Sequence, residues 1–350
     1  GVGCAHWSIW PDADYDLGVE AFNAAVDSGI TFFDTATKYT NFAEDNHNEK
    51  LIARAISEHG WKSEVQADQL FVASKAGLSG RGPVNVWDTT PEGIKRACDA
   101  SLLALGVDSI ALYYLHWPRE EEVSIESSMQ AFEDLRQAGK IQNIGVSNFD
   151  QRQLGLALKV SKVSAVQNKF NPQHHPAEQL ELINFTREHD IAYVPYSPLG
   201  GTFPPKPLET VNPRLDELAA QLGVSVPVLT LDWHLNLSSN IIPLVGSRRP
   251  ESITASAKVL TVEIPADVTK EVAESIGLGK PQGALVRGVE EGAPADKAGI
   301  EAGDIITKFD GKTIEKMSDL PRWVGNTKPG TRAPITVFRR GASKELNITV

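Results

Sequence analysis

Short runs of β-branched, aliphatic and aromatic residues recur along the first 250 positions. Each is followed by a stretch in which apolar residues return every three or four places. Brief apolar runs bounded by turn formers read as strands buried on both faces, and the three-to-four spacing reads as helices with one apolar stripe. The runs cover residues 1–4, 30–35, 70–75, 110–116, 141–147, 165–168, 192–197 and 241–246. Eight strand–helix repeats in about 250 residues match the count and length of an α/β (β/α)8 TIM barrel, with a doubly wound parallel sheet as the alternative. One helix start is spelled out: Thr90 is an N-cap and Pro91 the first helical residue.

Past residue 277 the texture changes, and short strand-like runs at 283–289, 303–309 and 335–350 alternate with turn formers. Asp310-Gly311 is a hairpin signal, Arg340-Gly341 a second turn, and residues 318–324 read as a helix capped by Ser318 or Asp319. The prediction is a barrel over 1–276 followed by a small β-rich domain over 277–350, with 260–278 open to either. Charge divides at the same place: residues 278–350 carry 12 basic and 9 acidic side chains, net +3, against 22 and 36 before them, net −14. Such opposite charges favour docking of the tail as a packing or gating element, with an independent tethered module as the alternative.

The 350 residues are 41% hydrophobic and 23% charged, enough apolar surface for a core. A net charge of −11 argues against nucleic acid, whose phosphates need a basic footprint. No run of 18 apolar residues offers a membrane span. Two cysteines, Cys4 and Cys98, exclude a disulfide scaffold and point to a reducing, cytoplasmic setting. The sequence starts at Gly1 rather than Met, so its first residues give no reading of export. His174 and His175 have no third ligand in view, and no metal site is expected.

Reactive groups of a parallel barrel stand at the carboxyl ends of its strands. Here those ends bring Asp34, then Tyr39 five residues on, Lys75 and His116. Each alone reads equally well as a loop cap, a half-buried aromatic, a solvated cation or a satisfied polar residue. Together they form a proton-transfer set. An ammonium beside a phenol stabilises phenolate and lowers the tyrosine pKa towards neutrality, Asp34 would hold that ammonium, and a neutral imidazole can donate to a substrate oxygen.

In these residues the sequence resembles the aldo-keto reductase family. The likeness runs from Phe33-Asp34-Thr35-Ala36 with Tyr39, through Ser74-Lys75 and Tyr114-Leu115-His116-Trp117-Pro118, to Gly145-Val146-Ser147-Asn148, Gln167-Asn168, Pro195 to Gly200 and Gly246 to Glu251. The resemblance implies reversible reduction of an aldehyde, ketone or sugar carbonyl by hydride transfer from a nicotinamide. Tyr39 would be proton donor, with Asp34 and Lys75 tuning it and His116 orienting the carbonyl. It further implies cofactor contacts from Ser147, Asn148 and Gln167 to a carboxamide, from the flat face of Tyr196 to the ring, and from Ser197, Leu199, Gly246, Ser247, Arg248, Arg249 and Ser256. Many members grip the 2′-phosphate with a lysine and an arginine where this sequence has Gly246 and Ser252. Arg248 and Arg249 lie between and would serve instead, which favours NADP(H) over NADH. Trp7, Trp87 and Trp117 are expected on the substrate wall, with Trp10, His6 and Phe42 nearby.

The tail resembles PDZ domains of bacterial high-temperature-requirement serine proteases in Ala293-Pro294-Ala295-Asp296-Lys297-Ala298-Gly299-Ile300, Gly303-Asp304-Ile305-Ile306 and Asp310-Gly311-Lys312. That resemblance implies an extended peptide or protein partner bound by strand addition. Taking residues 260–264 as the carboxylate-binding strand puts Thr261 and Glu263 where a glycine and no acid are wanted, which counts against peptide capture. The rival function is a cofactor-sensing or scaffolding protein.

Overall fold

The computed structural model describes residues 1–41, 44–59, 70–200, 212–276, 284–286, 288–290, 292–301, 304–314, 319–339 and 342–350. They fall into two compact units, Gly1–Val272 and Ala273–Val350.

In the first unit seven parallel strands run β1 (Val2–Gly3), β2 (Phe32–Asp34), β3 (Phe71–Ala76), β6 (Ile110–Leu115), β7 (Ile141–Ser147), β8 (Ala165–Lys169) and β9 (Ala192–Tyr196), each paired with the next. The eighth stave is a set of bridges, Tyr193 to Ile241 and Tyr196 to Leu244 on one side and Val245 to Val2 on the other. These close the ring, so the fold is the expected barrel rather than an open sheet. Intervening strands β4 (Leu78–Ser79) and β5 (Val86–Trp87) form a separate antiparallel hairpin that the hydrophobic pattern did not announce.

Local chemistry explains the joins. The helix Pro91–Leu105 starts where the Thr90 side chain accepts from the Gly93 amide at 3.1 Å and stops at Gly106 in the left-handed region. The helix Gln151–Leu158 opens on a capping box between Asp150 and Gln153. Inside the barrel Ala73, Leu112, Tyr114, Ala165, Val194 and Leu244 pack together. Gly145 is required there, because a Cβ on it would come within 2.4 Å of the Tyr114 ring.

The second unit has strands β10 (Ala284–Leu285), β11 (Ile305–Phe309), β13 (Arg332–Arg339) and β14 (Ala342–Thr349) in that order, with β12 (Lys312–Thr313) paired to β11. Asp310 and Gly311 both take positive φ in the predicted hairpin turn. Ile306, Phe309, Ile314, Ile335 and Val337 form its core, covered in part by Leu320, Trp323 and Val324 of the helix Asp319–Gly325. Ser318, Arg340 and Gly341, to which the sequence pattern assigns a helix cap and the second turn, lie outside the described residues. One expectation fails: Leu260 ends a 3-10 helix and residues 261–265 follow as turn and coil, so no carboxylate-binding strand exists there. The segment leads instead into the helix Ala266–Ser275.

Candidate active site

Three consecutive strand ends of the barrel converge. Asp34 ends β2, Lys75 stands one residue before the end of β3, and His116 follows β6, while Tyr39 reaches back from the loop after β2. The Lys75 ammonium donates to Asp34 Oδ1 at 2.5 Å, to the Thr35 carbonyl at 2.8 Å and to Tyr39 Oη at 3.2 Å. Asp34 Oδ2 accepts from Gln167 Nε2 at 2.7 Å. Lys75 is 0% and Asp34 2% exposed, so this ion pair is shielded from water and salt. The Tyr39 and His116 rings meet edge to face, centroids 5.9 Å apart.

Burial acts to lower Lys75, but the charges of Asp34 and Tyr39 outweigh it and keep the ammonium above its ordinary range. Burial lifts the Asp34 carboxyl, opposed by Lys75. For Tyr39, burial raises the phenol and Lys75 only partly offsets the rise. The expectation of a phenol brought towards neutrality is therefore corrected: here Tyr39 holds its proton. Desolvation, then the charges of Lys75 and Lys38, push His116 well down, so its imidazole is neutral, with Nδ1 buried and unpartnered among the described residues.

A shell that the sequence did not reveal fixes Tyr39. Asn48 donates its backbone N–H to the Tyr39 carbonyl at 3.1 Å, accepts from Thr35 Oγ1 at 2.6 Å, and donates to Ser8 Oγ and the Cys4 carbonyl at 2.8 and 2.9 Å. Beside it Glu49, fully buried and raised by burial, accepts from Ser74 Oγ at 2.5 Å and from Asn46 Nδ2. Lys38 ties the β4–β5 hairpin alongside by donating to the carbonyls of Gly80, Gly82 and Val84 at 3.0, 2.9 and 2.6 Å.

Asp34, Tyr39 and His116 open on a cavity of about 510 Å³. Ser147, Asn148, Gln167, Tyr196, Ser197, Leu199 and Gly246 line it together with Asp34, Tyr39, His116 and Trp117, the last 40% exposed. The polar members hold one another: Ser147 Oγ donates to the Gln167 carbonyl at 2.8 Å, Asn148 Nδ2 to the His116 carbonyl at 3.0 Å, and Tyr196 Oη to Asn148 Oδ1 at 2.9 Å. A groove of about 350 Å³ shares His6 and Trp10 with the cavity and is lined by Ser247, Arg248 and Arg249. A Cβ on Gly246 would come within 3.0 Å of His6 Nδ1, so a larger residue there would require the His6 ring to give way.

Two of the three tryptophans expected on the substrate wall are elsewhere. Trp7 is 2% exposed in the 3-10 turn Cys4–Trp7 and donates Nε1 to the Ser247 carbonyl at 2.7 Å. Trp87 faces Arg119, whose guanidinium carbon is 5.0 Å from its ring centroid. Ile9 and Trp10 line the cavity instead. Ser256 is buried on the helix Pro250–Ala257 and lines neither space, and Phe42 lies outside the described residues. Both cysteines are buried with thiols raised by burial, Cys98 to about 12. Among the described residues no cluster of His, Cys, Asp and Glu can hold a metal, and no helix is long and apolar enough to cross a membrane.

A barrel whose strand ends join a buried Asp–Lys pair to a phenol and a neutral imidazole is the scaffold of a carbonyl-reducing oxidoreductase. The model of the aldo/keto reductase family matches residues 1–276, and the chain belongs to that family of nicotinamide-dependent enzymes. The PDZ domain model matches residues 222–350. Similar proteins include 2,5-diketo-D-gluconic acid reductase B of Corynebacterium, 32% identical over 72% of this chain and 82% of its own. Another is the NADP(+)-named aldo-keto reductase yakc of Schizosaccharomyces pombe, 29% identical over 81% and 92%. Among solved structures, a thermostable aldo-keto reductase in complex with the inhibitor epalrestat superposes with a TM-score of 0.65 at 27% identity, covering 79% of this chain and 94% of that one.

Proposed function

We propose that the barrel reversibly reduces an aldehyde, ketone or sugar carbonyl with NADPH, Tyr39 delivering the proton to the forming alkoxide. The observation that carries this reading is Tyr39 Oη, 3.2 Å from an ammonium locked to Asp34 and opening on the same cavity as His116. The donor set fits a nicotinamide dinucleotide: the cavity has hydroxyl and amide groups in Ser147, Asn148 and Gln167 and the ring of Tyr196, and it shares His6 and Trp10 with a groove lined by two guanidinium groups. Ser197, Leu199, Gly246 and Ser247 would flank the cofactor. A reduced nicotinamide bound there supplies the hydride. The chain's own residues do the rest. Neutral His116 directs an N–H at the carbonyl oxygen, the protonated phenol of Tyr39 stands ready to donate, and Lys75 stabilises the phenolate left behind. Trp10, Trp117 and Ile9 give the substrate a flat, partly apolar wall. Cofactor oxidation against a panel of aromatic aldehydes, ketones and sugars tests the activity, and cofactor binding without turnover on any of them would favour the cofactor-sensing alternative.

Arg248 and Arg249 are proposed as readers of the 2′-phosphate. Charge-assisted hydrogen bonds are worth about 1.5–3 kcal/mol each before solvent screening reduces them. The double variant Arg248→Ala/Arg249→Ala is thus expected to weaken NADPH by about one to two orders of magnitude and to leave NADH nearly unchanged. Equal losses measured for the two cofactors would remove these arginines from that role.

For the tail, the PDZ match and the edge position of β10 support an extended-peptide partner. The objection from Thr261 lapses, since residue 261 is a turn residue outside that sheet. Fluorescent C-terminal hexapeptides titrated into the full chain are expected to bind selectively, and blocking their carboxylate as an amide should abolish binding. Indifference to the amide would reject the peptide reading.

A further inference from the structure

We propose that Asp12 sets cofactor discrimination by competing with the 2′-phosphate of NADPH for Arg248, an inference that rests on the phosphate reading of Arg248 above. The guanidinium already has a partner. Nη1 donates to Asp12 Oδ1 at 3.1 Å, and Nη2 to Asp12 Oδ2 at 3.0 Å and to the Asp12 carbonyl at 3.3 Å. This two-pronged contact is the one an arginine offers a phosphate, so the Nη1–Nη2 fork that would read the cofactor is already engaged by a carboxylate. One fork cannot serve both anions in the same way, and a carboxylate and a phosphate brought to it together repel each other.

The setting makes the contact exchangeable. The side chains are 29% and 73% exposed for Arg248 and Asp12, and ion pairs so open to water are weak. Asp12 is 236 positions from Arg248 in the chain and sits in the turn that follows Ile9 and Trp10. Arg248 lines the groove that shares His6 and Trp10 with the main cavity, so the pair stands where the outer end of a dinucleotide would arrive. Arg249 is otherwise placed, 75% exposed and 3.9 Å from Glu251. A 2′-phosphate meeting Arg249 first gains Arg248 only by displacing Asp12. NADPH then retains a smaller advantage over NADH than two unengaged arginines would give, and removing the carboxylate should enlarge it.

The test is Asp12→Asn in the full chain, titrated with NADP(+), NAD(+), adenosine 2′,5′-bisphosphate and 5′-AMP by calorimetry. Competition predicts that the variant binds NADP(+) and the bisphosphate about two- to fivefold more tightly, as expected when an exposed ion pair no longer has to be broken, with NAD(+) and 5′-AMP unchanged. In the Arg248→Ala background the gain should vanish, because nothing is left to compete for. A gain that persists without Arg248 would mean repulsion through space and overturn the proposal. Equal effects on phosphorylated and unphosphorylated ligands would make Asp12 a support of its turn and overturn it too. If Arg248→Ala costs phosphate selectivity while Asp12→Asn changes nothing, competition fails and the phosphate reading stands. If Arg248→Ala leaves selectivity intact, both fall.

Discussion

Tyr39→Phe is expected to lower kcat for carbonyl reduction by about two to four orders of magnitude, the range that a positioned general acid supplies, while the Kd for NADPH stays within about twofold. The variant removes one oxygen and keeps the ring, so the edge-to-face contact with His116 survives and Lys75 retains Asp34 and Thr35 as acceptors. The sign of the pH dependence follows from burial. Because the phenol is raised above its ordinary range, it is protonated throughout neutral pH, and reduction should be flat there and decline only as alkali removes the proton. Oxidation of the alcohol needs the phenolate and should rise with pH over the same alkaline limb. His116 adds no limb near neutrality, since desolvation and two cations keep it neutral well below pH 6.5. Loss of the alkaline limb in Tyr39→Phe would assign it to this phenol. Near wild-type turnover would instead remove Tyr39 as the donor.

The barrel was legible because its signal is local. Strands buried on both faces read as continuous apolar runs: residues 141–147 match β7 end for end, six others agree within one or two positions, and 241–246 forms bridges in place of a strand. Asp34, Lys75 and His116 are legible because each is a polar residue at the carboxyl end of its run, where a parallel barrel places its reactive groups. What escaped depends on contacts between distant segments. Asn48 and Glu49 look like ordinary polar positions of an amphipathic helix, yet both are 0% exposed, hydrogen-bonded to the Tyr39 carbonyl and to Ser74 Oγ. The pairing of Arg248 with Asp12 leaves no periodic trace. Trp7 and Trp87 illustrate a further limit: proximity to a strand end does not fix side-chain direction, and a 3-10 turn and an unannounced hairpin aimed them at Ser247 and Arg119. The direction of the Tyr39 shift was likewise decided by burial, which no run of letters displays.

Lys75→Met should be the most damaging single change in the barrel, in stability as well as in rate. It leaves Asp34 buried with Gln167 Nε2 as its remaining side-chain partner among those described, and breaking a buried ion pair from one side costs about 3–5 kcal/mol. For a unit of this size that corresponds to a fall in the barrel's melting temperature on the order of 10 °C. The cost comes from the orphaned carboxylate, so Asp34→Asn added to Lys75→Met should recover a substantial part of the lost stability while restoring no activity, because the phenolate still lacks its counter-charge. Rate and stability therefore separate, and a double variant no more stable than Lys75→Met would contradict the stranded-charge account. The same logic fixes how the tetrad's parts combine. Lys75 acts on the reaction through Tyr39, 3.2 Å away, so Tyr39→Phe/Lys75→Met should reduce substrate no more slowly than the worse single variant. Multiplicative losses in kcat would show that the ammonium reaches the carbonyl by a route independent of the phenol.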